Sequence, residues 1–210
     1  MPKAWVRERK RDYYYRKSKE EKYRSRAAYK LLETAKKYRF IQPGDVVVDL
    51  GAAPGGWMQA ARRIVGDSGL VLGVDTRFIE PLGLSNVKTL IGDITDPQMV
   101  ENIRAMLFSP ADVVVCDVSP NISGIWELDH ARQIDLAERA LLIARRIAKT
   151  GGNFFVKVFQ GDLLEKFVVE IRQHFRFVKL VKPKASRAKS AEIFVLGMQM
   201  KTPREQQEPR

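Results

Sequence analysis

Short apolar runs rich in valine, isoleucine and phenylalanine recur along this chain, separated by polar and glycine-containing stretches. Seven of them read as strands: 46–50, 70–74, 87–91, 112–116, 153–159, 178–181 and 192–197. Their near-continuous apolar character is that of strands buried on both faces. Between them the apolar spacing turns helical. Ser25 to about Tyr38 places Ala28, Tyr29, Leu32 and Ala35 on one face and leaves Lys30 and Lys37 off it. Trp57 to Val65, Thr95 to Phe108 and Asp162 to Phe175 read as further helices. So does Leu128 to Ala148, with Leu136, Ala140, Ile143 and Ile147 aligned and Gly151-Gly152 as the stop signal. Strands alternating with helices imply an α/β, Rossmann-like fold, a mostly parallel sheet flanked by helices.

The run Val46-Val47-Val48-Asp49-Leu50 leads directly into Gly51-Ala52-Ala53-Pro54-Gly55-Gly56-Trp57. Small residues let a backbone turn sharply while a ligand lies against it, and the following helix aims free N–H groups at that ligand. This is a nucleotide-like cofactor loop, although Gly51 to Gly56 cannot be written as the dinucleotide pattern G-x-G-x-x-G. Asp75 ends the second strand, and Gly92-Asp93 follows the third. Ligands of doubly wound sheets bind beyond the carboxyl ends of the strands. There one acid can accept from ribose hydroxyls and the other from an adenine amine. With no G-K-[ST] for a triphosphate, the set favours S-adenosylmethionine over NAD or ATP.

Composition changes the picture mainly through charge. The 210 residues carry 37 Lys+Arg against 25 Asp+Glu, a net charge of +12, which points to a polyanionic partner. Residues 1–24 hold ten of the cations and four acids, with Trp5, Tyr13, Tyr14, Tyr15 and Tyr23 interleaved. Cations neutralise phosphates and aromatic faces stack on unpaired bases, so this basic arm is expected to bind RNA; a solvated tail is the alternative. No apolar run approaches a membrane span and no secretory signal pattern is present, which leaves a cytoplasmic protein with no membrane partner. The one cysteine, Cys116, lies in an apolar run and is expected to be buried. His130 and His174 stand far apart, so no metal site is expected. The organisation is then a basic, Tyr-rich arm (1–24), one domain (25–200) and a flexible tail (201–210).

Four polar residues stand where apolar ones would cost less. Lys157 interrupts the strand Phe154-Phe155-Val156-Lys157-Val158-Phe159, Asp117 ends the fourth strand, Glu192 opens the last, and Lys30 is carried by the first helix. A buried ammonium needs a partner or a task. A purely structural Lys157–Glu192 pair, or snorkelling of Lys157 to solvent, accounts for the pattern as well.

The motifs Ser25-Arg26-Ala27-Ala28-Tyr29-Lys30-Leu31, Asp49 through Trp57, Asp117-Val118-Ser119-Pro120-Asn121-Ile122-Ser123-Gly124, Val156-Lys157-Val158-Phe159-Gln160-Gly161 and Lys182-Pro183 through Ser186-Arg187-Ala188 to Glu192 occur in this order. Together they resemble the FtsJ/RrmJ (RlmE) family of ribosomal RNA ribose 2′-O-methyltransferases, over roughly residues 22–198. The resemblance implies a class I S-adenosylmethionine-dependent fold in which the seventh strand runs antiparallel between its neighbours. It also implies a catalytic tetrad of Lys30, Asp117, Lys157 and Glu192, and cofactor contacts at Gly55, Trp57, Asp75, Asp93 and Asp117, to which the turn analysis adds Gly51. In that scheme Lys157 is the base or orients the ribose hydroxyl, Glu192 holds Lys157 in aim, Lys30 places the hydroxyl or an adjacent phosphate, and Asp117 borders donor and acceptor. The expected substrate is a uridine of 23S ribosomal RNA, free or in the large ribosomal subunit, and the expected enzyme is a monomer. Transfer RNA is the alternative substrate. A non-catalytic RNA-binding assembly factor is the alternative class, although a binder has no need of a lysine inside a strand. A small-molecule methyltransferase is disfavoured by the charge.

Overall fold

The structure is a computed structural model that describes residues 12–187, 189–202 and 205. All seven strands form one sheet: β1 (Val46–Leu50), β2 (Leu70–Asp75), β3 (Val87–Ile91), β4 (Ala111–Cys116), β5 (Ala148–Phe159), β6 (Phe175–Val181) and β7 (Glu192–Met200). Their order is β3-β2-β1-β4-β5-β7-β6, with β1 to β5 parallel and β7 antiparallel to both β5 and β6. Order could not be read from the apolar pattern, whereas the antiparallel seventh strand is as the resemblance implied.

The helices are α1 (Tyr13–Glu20), α2 (Ala28–Tyr38), α3 (Gly56–Val65), α4 (Met99–Met106), α5 (Trp126–Ile147) and α6 (Leu164–His174). They cover both faces because alternate residues of each strand point to opposite sides. From β1, Val46, Val48 and Leu50 join Val100 and Ile103 of α4, Ile134 and Ala140 of α5 and Phe167 of α6 in one core. Val47 joins Leu31 of α2 and Met58 and Ala61 of α3 in the other. In that second core Trp57 stacks on Phe155 at 5.5 Å between ring centroids, and Phe155 stacks on Phe194 at 4.8 Å. Each such pair adds about 0.5–1.5 kcal/mol beyond burial. Those three rings carry the floor on which the polar groups described below are mounted.

Three differences from the sequence-based expectation have physical causes. Gly151-Gly152 does not stop a helix: α5 ends at Ile147 and the chain enters β5 at once, with a register shift opposite Ala111/Val113. Gly152 sits where a β-carbon would meet the carbonyls of Lys149 and Asp112, so the glycines permit a bulge. Within the expected arm, residues 13–20 form α1, with the Asp12 side chain capping the Tyr15 N–H at 3.1 Å. Tyr23, expected to be available for stacking, is 7% exposed and packs against Tyr29. The remaining arm residues, 1–11, lie outside the described residues, as does most of the expected tail. Lys201, at its start, is buried and donates to the carbonyls of Arg172 and Gln173 near the end of α6. Among the described residues no helix is long and apolar enough to cross a membrane.

Candidate active site

The strand order reverses between β1 and β4: the crossover from β1 leads out to β2, whereas β4 continues to β5 on the other side. Loops leaving β1 and β4 therefore diverge, and a cleft opens beyond the carboxyl ends of the two strands. Its volume is about 500 Å³, and its walls come from Gly51 to Trp57 after β1, Asp75 to Arg77 after β2, and Asp117 to Asn121 after β4. Two glycines make the wall possible. Gly51 has φ +77°, and a β-carbon there would lie 3.0 Å from Val118. At Gly56 a β-carbon would collide with Ser25, so α3 can begin here only as glycine.

Asp75 is 7% exposed at the cleft edge and accepts from the Ala53 N–H at 2.9 Å and the Arg77 N–H at 2.9 Å. The Arg77 guanidinium also donates to Oδ1 at 3.3 Å, so the lone pair left for a ligand is on Oδ2. Trp57 donates its indole N–H to the Ala27 carbonyl at 2.7 Å, which ties the cofactor loop to the start of α2. Gly51, Trp57, Asp75 and Asp117 all line the cleft. Gly55 does not; it adopts the left-handed N-cap of α3, against the Arg24 side chain. Asp93 does not line it either, and its carboxylate accepts from the N–H and hydroxyl of Thr95, both at 2.8 Å.

At the inner end of the cleft Lys157 is 5% exposed. Its ammonium donates to the Asp117 carbonyl at 2.9 Å and to the Ser119 hydroxyl, and lies 3.2 Å from Asp117 Oδ1. That last contact is an ion pair without hydrogen-bond alignment, since Oδ1 has no hydrogen-bond partner. Gln133 of α5, fully buried, donates to the Lys157 carbonyl at 3.0 Å and to the Val118 carbonyl at 3.3 Å. It cross-links the tips of β4 and β5 and so fixes Lys157 relative to Asp117.

The second ion pair joins Lys30 to Glu192 Oε1 at 2.6 Å, with the side chains 11% and 13% exposed. The same oxygen accepts from Ser186 at 3.0 Å. Glu192 therefore aims Lys30, not Lys157 as the tetrad scheme had it. The strand register explains this. Glu192 lies opposite Phe159 and Lys157 opposite Phe194, so glutamate and lysine share a face but are offset by two residues. Lys30 fills the gap from above, its ammonium 5.4 Å from the centre of the Phe194 ring. Of the four tetrad residues only Asp117 lines the cleft; Lys30 and Glu192 pair beside Phe194, the residue opposite Lys157, so the four stand at the β5–β7 end of the sheet as two separate pairs.

Two buried groups beneath the cleft have altered acidity. Asp49 of β1 is fully buried with both carboxylate oxygens unpartnered, and burial, reinforced by the charges of Asp117 and Asp75, raises its pKa well above the usual carboxylate range. Burial likewise pushes the Cys116 thiol up to about 12, so it is an inert core residue. Ser119 and Gln133 are functional neighbours that the sequence did not single out. A serine two residues past a strand-terminal aspartate was the only local signal for the first, and nothing local marked the second.

Comparison with known proteins now becomes specific. The sequence model of FtsJ-like methyltransferases matches residues 23–200. The chain belongs to that family. A ribosomal RNA large subunit methyltransferase E of Methanococcus maripaludis (strain C5) is 49% identical over 195 residues, covering 93% of this chain and 76% of the relative. The protein of the same name from Methanothermobacter thermautotrophicus is 47% identical over 201 residues, covering 96% and 95%. Among solved structures, a Plasmodium falciparum protein assigned as a ribosomal RNA methyltransferase superposes with a TM-score of 0.76 at 24% identity, over 85% of this chain and 98% of that one. At that identity the superposition speaks to the fold alone. It places this FtsJ-like methyltransferase among proteins with the same layered α/β architecture.

Proposed function

We propose that this FtsJ-like methyltransferase transfers the methyl group of S-adenosylmethionine to a ribose 2′-hydroxyl of large-subunit ribosomal RNA, at a uridine of the 23S molecule. The observation that carries the chemistry is Lys157, an ammonium almost wholly withdrawn from water and held by residues of the cofactor cleft itself. The observation that carries the substrate is the set of relatives at 47–49% identity named for the large ribosomal subunit, together with the net charge of +12. Cytoplasmic action as a monomer is part of the same reading.

The cleft suits the donor. The Gly51–Trp57 turn and the start of α3 would accept an amino-acid end against backbone, and Asp75 keeps a lone pair on Oδ2 for a ribose hydroxyl. Both Thr95 bonds go to Asp93 Oδ1, which leaves Oδ2 to accept from an adenine amine. When bound, the donor supplies a methyl carbon already activated by positive sulfur. The residues supply alignment and proton management. As the oxygen–carbon bond forms and the carbon–sulfur bond breaks, the sulfonium becomes a neutral thioether and the hydroxyl proton must leave.

Lys157 governs that proton. Two of its N–H directions end on fixed acceptors, so only a narrow range of directions remains for a substrate hydroxyl. In the protonated form it donates to the hydroxyl and turns a lone pair toward the methyl; in the neutral form it takes the proton. A rise of kcat with pH that is lost in Lys157→Ala would identify the base, and a flat profile the orienting donor. Lys30, clamped by Glu192, places a second positive charge against the ribose or the adjacent phosphate. Holding oxygen, carbon and sulfur in line is worth about 7–11 kcal/mol.

The test is transfer of labelled methyl from S-adenosylmethionine to purified ribosomal RNA, to large subunits and to transfer RNA. The product nucleotide is then mapped by its resistance to alkaline cleavage. Label in a 2′-O-methyluridine of 23S RNA supports the reading. Label on a base, or only on transfer RNA, overturns it.

A further inference from the structure

The proposed chemistry leaves unexplained an aromatic surface at the mouth of the site. Trp126 is the first residue of α5 and remains 44% exposed, although it is far larger than the surrounding helix surface requires. Its indole stacks on Phe159 (6.0 Å between centroids, 27° between planes) and on His130 (5.9 Å, 12°). We propose that Trp126, backed by Phe159, is the stacking platform for the base of the nucleotide whose ribose is methylated. The inference rests on the reading of the cleft as a ribose methylation site and adds the residues that hold the acceptor.

Register sets the distance. Phe159 follows Lys157 by two residues on the same strand, so their side chains share a face and are separated by about 6.6 Å of strand rise. Phe159 also lies directly opposite Glu192, the clamp of Lys30. A ribose hydroxyl at Lys157 therefore sends its own base along β5 toward the Phe159–Trp126 pair. The connection on the other side is equally short. The segment leaving the cleft passes Ser119, which binds Lys157, and reaches Trp126 seven residues later.

That segment is anchored. Asp129, one turn into α5, accepts from the Ser123 N–H at 2.8 Å, the Ser123 hydroxyl at 2.7 Å and the Gly124 N–H at 3.0 Å. The indole is thus presented from a fixed loop, while Ile122 and Ile125 beside it are 64% and 59% exposed. The apolar stripe that packs α5 on the sheet includes Ile134, Ala137 and Ala140 but not Trp126, so core packing does not account for the tryptophan.

Charge selects the occupant. The neighbouring loop after β6 presents Lys184, Arg187 and Lys189 to solvent, and Ser186 of that loop binds Glu192. That loop reaches the platform through Glu192, which lies opposite Phe159, whereas the first turn of α5 itself carries Glu127 and Asp129, so the cations on offer to the phosphates of an unpaired base are those of the loop. Stacking tolerates any base, so this platform holds the acceptor without by itself choosing uridine.

The experiment compares Trp126→Ala and Trp126→Phe in the full-length chain. Base–aromatic stacking of about 1–3 kcal/mol corresponds to a loss of about 5- to 150-fold in kcat/KM for ribosomal RNA in Trp126→Ala. Trp126→Phe should stay within a few-fold of the parent, and S-adenosylmethionine Kd and Tm should be unchanged in both. Single-stranded oligouridylate should quench tryptophan emission of the parent, and in Trp126→Phe the quench should shrink to the share of Trp5 and Trp57. With an abasic site at the mapped acceptor, the parent should fall to the rate of Trp126→Ala. Three results would overturn the platform: parental kinetics in Trp126→Ala, an unchanged quench in Trp126→Phe, or a further full-sized loss in Trp126→Ala on the abasic RNA. A parent that shows the quench but transfers no methyl to ribose would instead overturn the proposed reaction and leave the binding surface standing.

Discussion

The two lysine–carboxylate pairs of the site are built from different material. Lys157 and Asp117 both come from the tips of adjacent parallel strands, joined through a main-chain carbonyl and braced by Gln133. Lys30 and Glu192 come from the first turn of a helix and the first residue of the antiparallel strand, and their brace is a loop. That loop is itself suspended: the Ala185 N–H donates to Glu33 at 3.2 Å, the Ala185 carbonyl accepts from Arg26, and Arg26 is paired with Asp12 at the head of α1. Tyr14 completes the suspension by donating to Glu33 at 2.6 Å, and burial together with that carboxylate pushes its phenol up to about 12. The difference is one of construction: one pair is set by the sheet, whereas the other is assembled from loop and N-terminal elements, the parts of a fold that open most easily.

The largest expected effect is on the sheet-built pair. Lys157→Ala should lower kcat by about 10²–10⁴-fold, the range for a positioned proton-handling group. Binding of S-adenosylmethionine, measured by calorimetry, should change by no more than a few-fold. A variant that methylates near the parent rate would remove Lys157 from the reaction. Glu192→Gln tests the loop-built pair more gently. It retains a hydrogen-bond acceptor for Ser186 and Lys30 but loses the charge, and should cost about 10- to 100-fold in kcat/KM for RNA, the worth of about 1.5–3 kcal/mol in a hydrogen bond to a charged group. Equal losses in the two variants would mean that the pairs act as one unit.

The same division governs what the sequence revealed. Strands β1, β2 and β4, the inner half of β5 and the Gly51–Trp57 turn were legible because burial on both faces and tight turning constrain residue type at each position; β3 and β6, at the sheet edges, are largely exposed, and the expected two-sided burial does not hold there. Val46-Val47-Val48 followed by Gly51 could scarcely be anything else. The resemblance named the four candidate residues, but their pairing was not legible. Whether Glu192 meets Lys157 or Lys30 depends on a two-residue offset between antiparallel strands, which no single strand encodes. Within the expected arm Arg24 is engaged by the fold: it donates to the carbonyls of Pro54 and Pro81 and so fastens the Gly51–Trp57 turn to the segment after β2, a contact between distant segments that no local pattern encodes.

Asp49 offers a stability test of the sheet-built half. Its pKa is raised in the folded protein, so the folded state keeps a proton that the unfolded chain releases. That contribution is fully present below the ordinary carboxylate pKa and is lost as pH rises toward the folded value. Asp49→Asn removes the titration. The Tm of Asp49→Asn minus that of the parent should therefore grow from pH 4 to pH 8 in differential scanning calorimetry. A constant difference would mean that Asp49 titrates alike in both states.

The smallest expected effect belongs to the outermost anchor of the loop-built half. Asp12 performs two tasks at once: it caps α1 through the Tyr15 N–H, and it pairs with Arg26 and, at 3.9 Å, with Arg187. Asp12→Ala removes both tasks and should cost about 1 kcal/mol of stability through the cap alone. If the suspension of the loop matters to the acceptor, KM for ribosomal RNA should also rise several-fold while S-adenosylmethionine affinity is unchanged. Asp12→Asn separates the tasks, because asparagine caps as well as aspartate but carries no charge. A parental Tm with a raised KM in Asp12→Asn would assign the ion pairs to substrate positioning. A parental KM would show that α1 needs only its cap, and that the loop carrying Ser186 keeps Glu192 in place without help from the N-terminal segment.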